Sequence, residues 1–216
     1  MKWLKSAQGK FIEDWYSMDG KAFFVVLCLL YFSTFLIKRM FIIDNIAAFE
    51  ILQERGEMWI MNLFFGLQYF SVPLFLAWKF TLTAFILWTG CFLFGYRVTY
   101  AQLWKMVMIM EIIFIVPELL KVVWFTAVDT DPNYHDYTAY YPLSMINFFD
   151  YESIGSKWHY PLKALNVFEL IYWGLLICGV YWLSNKKLNI SVAIVGSSYV
   201  LFFLLWLGYY LIVYKT

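Results

Sequence analysis

The sequence predicts an all-α membrane protein: a polytopic transmembrane helical bundle of five spans, with six as the alternative. The chain of 216 residues is 63% hydrophobic and 23% aromatic, and a soluble fold of this size could not bury so much apolar surface. Five apolar blocks reach or approach the roughly 20 helical residues that cross a bilayer core. These blocks are residues 22–43, 72–95, 104–125, 165–184 and 190–214. Because only a helix satisfies its own backbone in lipid, each block is expected to be helical.

The first 20 residues predict an N-terminal amphipathic interfacial helix. Trp3, Phe11 and Trp15 alternate with lysines and acidic residues in this segment. Such a pattern suits a helix that lies in the membrane interface without crossing it. A cytoplasmic cap that packs on the bundle is the alternative. Residues 21–216 are expected to form a single transmembrane domain with a polar loop at about 126–163.

The number of spans depends on the apolar stretch from Met58 to Gly95, which is too long for one crossing. Residues 58–70 could lie at the interface, with one span beginning near Pro73, a residue that suits the first turn of a helix. Two spans could instead meet near Lys79. The first solution is preferred because Lys79 has no turn residues beside it.

Charge and cysteine content argue against nucleic-acid binding, a disulfide framework and a zinc site. The net charge of +1, without a basic run, indicates no nucleic acid partner. Cys28, Cys91 and Cys178 show neither disulfide nor zinc-site spacing. The distribution of lysine and arginine favours an N-terminus inside, with the polar loop outside.

The third apolar block carries polar residues that predict an intramembrane site. Glu111, Glu118 and Lys121 lie on broadly one side of a helix, and Glu118 and Lys121 are expected to neutralise each other. Pro117 is expected to interrupt this helix, and Glu169 could face the same region. Glu111 is interpreted either as a proton- or cation-linked group of a carrier or as a structural carboxylate that fixes helix register.

Enzymatic readings find little support in the sequence. Asp129, Asp131 and His135 are close in the chain, but no HExxH or HxxxH spacing accompanies them. Neither a nucleophile elbow nor a phosphate-binding glycine loop occurs. No catalytic residue, metal site or cofactor is therefore predicted.

The polar loop contains a short internal repeat. The segment that begins Tyr141-Pro-Leu and ends at Asp150 is echoed by the segment that begins Tyr160-Pro-Leu and ends at Glu169. Both copies are expected to begin helices, the second opening the fourth span and the first a short helix on the membrane face. The matched residues are either a recurrent helix start or a paired surface for a partner. They are Tyr141, Pro142, Asn147, Tyr160, Pro161 and Asn166.

Residues 72–214 resemble the Yip family of small five-span membrane proteins, in its uncharacterised bacterial branch. The resemblance lies in a span ending Leu93-Phe94-Gly95, the short turn from Tyr96 to Tyr100, and a helix start at Gln102-Leu-Trp104. It continues with Pro117 in the next span and a short basic turn ending in Lys186-Lys187 before the last. The resemblance implies five helices, an N-terminus inside, and a role in membrane organisation or trafficking through partner proteins.

Together with this resemblance, the sequence predicts a non-enzymatic accessory or scaffold protein of a bacterial cytoplasmic (inner) membrane, in contact with the lipid bilayer and with other integral membrane proteins. It could take part in trafficking or in assembly of a membrane complex, and a homo-oligomer is compatible with it. The alternative function is a small permease that uses Glu111.

Overall fold

A computed structural model of the chain describes residues 19–46, 49, 54–56, 58–184 and 187–214. Within these ranges the secondary structure is helical, with one isolated antiparallel bridge and no strand. Of the predicted N-terminal amphipathic segment only Asp19 and Gly20 are described, so the rest of that prediction lies outside the described residues.

The described residues form nine α-helices. They are α1 (Gly20–Phe41), α2 (Met58–Leu93), α3 (Tyr100–Met110), α4 (Ile115–Ala127), α5 (Tyr134–Ala139), α6 (His159–Ala164), α7 (Val167–Ser184), α8 (Leu188–Val195) and α9 (Leu201–Val213). Short 3-10 segments follow α1, join α3 to α4, and occur in the polar loop. They are Ile43–Asn45, Glu111–Phe114, Met145–Phe148 and Ser156–Trp158. A π-helical turn, Gly196–Val200, joins α8 to α9.

Four of these helical stretches are long and apolar enough to cross a membrane. They are Gly20–Asn45, α2, α7 and the continuous stretch Leu188–Val213. Large apolar side chains on them stand exposed; Phe92, Leu93 and Ile212 are 70%, 75% and 77% exposed. Lipid tails accommodate such side chains, whereas water would not. These four apolar helices of span length confirm the prediction of a polytopic helical membrane protein.

The structure corrects the prediction for the region around Pro73. Helix α2 is unbroken over 36 residues, with Pro73 and Lys79 both inside it. At 1.5 Å per residue it is about 54 Å long, more than a bilayer core requires. A helix start near Pro73 and a turn near Lys79 are therefore both wrong. The missing N–H of Pro73 removes one backbone hydrogen bond, which does not end a long apolar helix.

The predicted interruption in the third apolar block is confirmed. Helix α3 ends at Met110, the 3-10 segment Glu111–Phe114 follows, and α4 contains Pro117 in its first turn. Because Pro117 has no N–H, it cannot continue the α-helical hydrogen-bond ladder across this junction. Residues 100–127 are consequently not one of the four continuous helices of span length.

The chain divides into two compact units, and the first comprises residues 1–27, 77–112 and 170–213. Its core contains fully buried apolar side chains, among them Phe80, Leu103, Tyr172 and Ile194. Small residues allow close helix approach there: a Cβ added to Gly90 would lie 2.8 Å from the Cβ of Ser198. Gly90 therefore lets α2 pack tightly against the π-helical turn.

The second unit comprises residues 28–76, 113–169 and 214–216. Its apolar core is formed by Ile42, Leu76, Phe125, Ile146 and Phe168, each at most 5% exposed. This unit includes the whole of the predicted polar loop, residues 126–163. We call residues 128–166 the cap segment.

Candidate functional site

Glu111 forms an ion pair with Lys79 in the first unit. The Nζ atom of Lys79 lies 2.5 Å from Oε1 of Glu111. The Glu111 side chain is 1% exposed and that of Lys79 is 31% exposed. A carboxylate in an apolar core is expensive unless a charged partner compensates it, and Lys79 supplies that partner.

The position of Glu111 follows from the helix interruption. Glu111 is the C-cap of α3, where its N–H donates to the carbonyl of Val107, and it begins the 3-10 segment. A carboxylate at a break between helices, held by a partly exposed lysine, can act as a proton- or cation-binding group. It can equally fix the register of α3 against α2.

Glu118 forms the corresponding pair in the second unit, with Lys38 of α1. The Nζ atom of Lys38 lies 2.5 Å from Oε2 of Glu118, and the two side chains are 11% and 23% exposed. The same Nζ atom lies 4.7 Å from the centre of the Phe35 ring, within range of a cation–π contact. Water therefore reaches this carboxylate more easily than it reaches Glu111.

Glu118 and Lys121, which are expected to neutralise each other, form no direct ion pair, although the charge of Glu118 does act on Lys121. Lys121 donates instead to the backbone carbonyl of Tyr137 at 2.5 Å, and its Nζ atom lies 3.9 Å from the centre of the Tyr137 ring. A local pair three residues apart contributes only a few tenths of a kcal/mol, roughly 0.2–0.5. The contact of Glu118 with Lys38 of α1 and the contact of Lys121 with Tyr137 of the cap segment are stronger than this local pair.

The remaining predicted polar residue, Glu169, lies in the same unit as Glu118 and Lys121 and is buried. Burial raises the pKa of Tyr141, and the negative charges of Glu118 and Glu169 raise it further. Both carboxylates therefore act on one tyrosine. The second unit thus brings together three of the four predicted residues, whereas Glu111 belongs to the first unit.

A further lysine of the cap segment belongs to this polar region. Lys163 donates to the backbone carbonyl of Thr138, and burial lowers the pKa of Lys163. Lys121 interacts electrostatically with Lys38, Glu118 and Lys163. The second unit therefore contains a cluster of three lysines, stabilised by Glu118 and by backbone carbonyls.

The two copies of the internal repeat contact each other in the cap segment. Ser144 and Asn166 form the isolated antiparallel bridge. The Met145 N–H donates to the Leu165 carbonyl at 2.9 Å, and the Val167 N–H donates to the Leu143 carbonyl at 3.1 Å. The bridge fixes the first copy of the repeat to the start of α7.

The copies differ in local structure, and the structure corrects the expectation that the second copy opens the fourth span. Pro161 lies in the first turn of α6, as predicted, but α6 ends at Ala164 and α7 begins separately at Val167. Pro142 lies in a turn, followed by Leu143 with φ of 52° and by the 3-10 segment Met145–Phe148. The positive φ of a leucine is strained, and the bridge to α7 holds it in place.

The residues of the proposed partner surface are unequally accessible. Pro142, Pro161 and Asn166 are buried, Tyr141 is partly buried, and Asn147 and Tyr160 are exposed. Tyr134, a loop aromatic that the sequence marks as suited to partner contacts, is 54% exposed, and three further side chains that sequence reasoning missed are strongly exposed: Phe148 at 86%, Leu143 at 59% and Phe149 at 51%. The cap segment thus exposes large aromatic and apolar side chains among its polar ones.

The second unit also contains an open pocket of about 700 Å³. Trp124, Tyr140 and Tyr151 line it together with the carboxylates Asp129 and Asp136. The rings of Trp124 and Tyr140 are stacked, with centroids 4.9 Å apart. The pocket lies where α4 ends and α7 begins, and no sequence motif marks it.

Sequence reasoning also missed the two lysines that pair with Glu111 and Glu118. Lys79 is the one charged residue in the apolar stretch from Met58 to Leu93, and this isolation is the signal that could have identified it. Lys38 lies near the end of the first apolar block, where a charged residue ordinarily marks the edge of a span. A lone charge in an apolar block predicts a partner of opposite charge in another block.

Comparison of the chain with protein-family models, with curated proteins and with solved structures gives no match.

Proposed function

We propose that this protein is a non-enzymatic integral membrane accessory or scaffold protein. It binds another membrane protein through the exposed aromatic surface of its cap segment, in trafficking or in assembly of a membrane complex. The observation that carries the proposal is the exposure of Phe148 and Phe149 on a folded polar segment outside the four span-length helices. Exposed aromatic clusters of this kind mark interaction surfaces.

The supporting topology is a bundle of five spans in a bacterial inner membrane, with the N-terminus inside. The proposed third span consists of α3, the 3-10 segment Glu111–Phe114 and α4. Glu111, which pairs with Lys79 of α2, lies in the interior of this span. Five spans with the N-terminus inside agree with the resemblance to the Yip family, and membership of that family is part of the proposal. In this topology the cap segment lies on the outer face of the membrane.

Cysteine labelling tests that topology. Asp131 is exposed in the cap segment, so Asp131→Cys is introduced into a variant in which Cys28, Cys91 and Cys178 are replaced by serine. A membrane-impermeant maleimide added to intact cells should label it. Labelling only after the cytoplasmic face is opened would reject the proposed orientation.

The binding function is tested with a tagged full-length chain extracted in gentle detergent. Mass spectrometry should find a membrane protein that co-purifies in stoichiometric amount. The double variant Phe148→Ser/Phe149→Ser should lose that partner at least tenfold, because exposed aromatic anchors carry much of an interface's binding energy. Phe92→Ser, at a 70% exposed position of α2, is the matched control and should retain it.

Two results would contradict the proposal. Purification as a homo-oligomer with no other protein attached would reject the accessory role. Equal retention of the partner by the Phe148/Phe149 variant and by the Phe92 control would reject the cap segment as the binding surface.

The second candidate function is a small permease, favoured by the ion-paired carboxylate of Glu111 at a helix interruption. Interrupted helices at membrane depth are a feature of transporters. Glu111→Gln should abolish proton- or cation-coupled uptake in a permease, whereas a scaffold's complexes should persist. Uptake that is unchanged by Glu111→Gln would remove this candidate.

A further inference from the structure

The open pocket in the second unit has the chemistry of an organic-cation site. Its described lining includes two carboxylates, Asp129 and Asp136, and neither lysine nor arginine. Trp124 and Tyr140 contribute aromatic rings to the same lining, whereas the Tyr151 ring is already stacked on His159 and lies 5.1 Å from Nζ of Lys163. An ammonium group gains both from carboxylate acceptors and from the negative faces of aromatic rings.

The carboxylates favour a primary ammonium group over a quaternary one. A primary ammonium has three N–H donors, whereas a quaternary ammonium has none to give. Asp129, Asp136 and the side-chain carbonyl of Asn147 provide acceptors in the pocket lining. The Asn147 amide already donates to the carbonyl of Tyr141 at 2.7 Å, which turns its nitrogen toward the backbone.

The position of the pocket relative to the membrane indicates the source of the ammonium group. Its lining includes Trp124 and Phe125 from the last turn of α4 and Val167, the first residue of the span-length helix α7. The start of a membrane-spanning helix lies near the level of the lipid head groups. Phe148 and Phe149 contribute an apolar side to the lining.

We propose that this pocket binds the primary ammonium of an ethanolamine-type phospholipid head group, which donates to Asp129 and Asp136 and packs against Trp124 and Tyr140. The inference does not rest on the proposed binding function, because lipid retention is measured without a protein partner.

The test uses the full-length chain reconstituted with equal amounts of phosphatidylethanolamine, phosphatidylcholine and phosphatidylglycerol of matched acyl chains. Native mass spectrometry after gentle extraction counts the lipids that remain bound. The wild-type chain should retain phosphatidylethanolamine preferentially. Asp129→Asn/Asp136→Asn should weaken that retention about tenfold, as expected when charged hydrogen bonds are lost.

Two further variants separate binding from folding. Asp136 accepts from the N–H of Asn133 and thereby caps α5, so its substitution also affects local stability. Asp129→Asn alone avoids that effect and should still weaken retention. Asp131→Asn changes an exposed aspartate that is not part of the lining, and it should retain the lipid as the wild-type chain does.

Three outcomes would overturn the proposal. One is equal retention of the three lipids, or a preference for phosphatidylcholine or phosphatidylglycerol. Another is undiminished retention of phosphatidylethanolamine by both the double variant and Asp129→Asn. The third is binding of free ethanolamine by the wild-type chain without any preferential retention of phosphatidylethanolamine, which would assign the pocket to a soluble amine.

Discussion

Two carboxylate–lysine pairs, one in each unit, resemble each other in geometry but differ in surroundings. Glu111 and Glu118 are seven residues apart in the chain, and each lies 2.5 Å from a lysine of an earlier helix. The Glu111 side chain is 1% exposed, whereas that of Glu118 is 23% exposed. The two carboxylate–lysine pairs therefore differ in how deeply the carboxylate is buried.

The difference lies in what remains when one partner is lost. Glu118 has a second lysine, Lys121, within electrostatic range, and Lys121 is itself held by the carbonyl of Tyr137. Glu111 is enclosed by the apolar core of the first unit and reaches water poorly. Breaking a pair is costly when the remaining charge is buried and modest when water or a second cation replaces the partner.

The largest effect is therefore expected from Lys79→Met. It removes the ammonium that lies 2.5 Å from the buried Glu111 carboxylate, and the free energy of unfolding should fall by about 3 kcal/mol. Denaturant unfolding in a fixed detergent measures the loss. The double variant Lys79→Met/Glu111→Gln removes both charges and should recover most of it. A double variant as unstable as the single one would show that the ion pair is not the cause.

A smaller effect is expected from Lys38→Met. Glu118 retains water and the nearby Lys121, so the loss should be about 1 to 2 kcal/mol. Arg39→Met is the matched control in the adjacent position, since Arg39 contacts Asp44 and Asn62 at the surface. The control should change stability by less than about 0.5 kcal/mol. A loss from Lys38→Met equal to that from Lys79→Met would remove the contrast between the two units.

The helices themselves follow closely from the sequence, because long apolar blocks have only one way to satisfy their backbone in lipid. The predicted fourth block, residues 165–184, is observed as Val167–Ser184. Prolines were harder to interpret: Pro73 lies within an unbroken helix, whereas Pro117 follows a 3-10 segment. Whether a proline interrupts a helix depends on the packing around it, which a single sequence does not contain.

The candidate site was predictable in its carboxylates but not in their partners. Glu111 is conspicuous because it lies within an apolar block, whereas Lys38 and Lys79 are 80 and 32 residues away from the carboxylates they contact. Local spacing favoured Glu118 with Lys121, a weak interaction that tertiary contacts displace. The pocket combines Trp124 with residues of the cap segment and of α7, so no local pattern reveals it.

The smallest expected effect distinguishes the two copies of the internal repeat, which lie within the second unit. Asn147 and Asn166 occupy the same repeat position, yet Asn166 accepts from the Glu169 N–H at 2.9 Å and so caps α7, whereas Asn147 is exposed and donates to Tyr141. Asn166→Ala should therefore lower the free energy of unfolding by about 1 kcal/mol, the usual cost of a lost helix cap. Asn147→Ala, measured by the same denaturant unfolding, should cost less than about half of that. Equal losses would mean that the capping hydrogen bond adds nothing, and that the bridge between Ser144 and Asn166 alone holds the cap segment against α7.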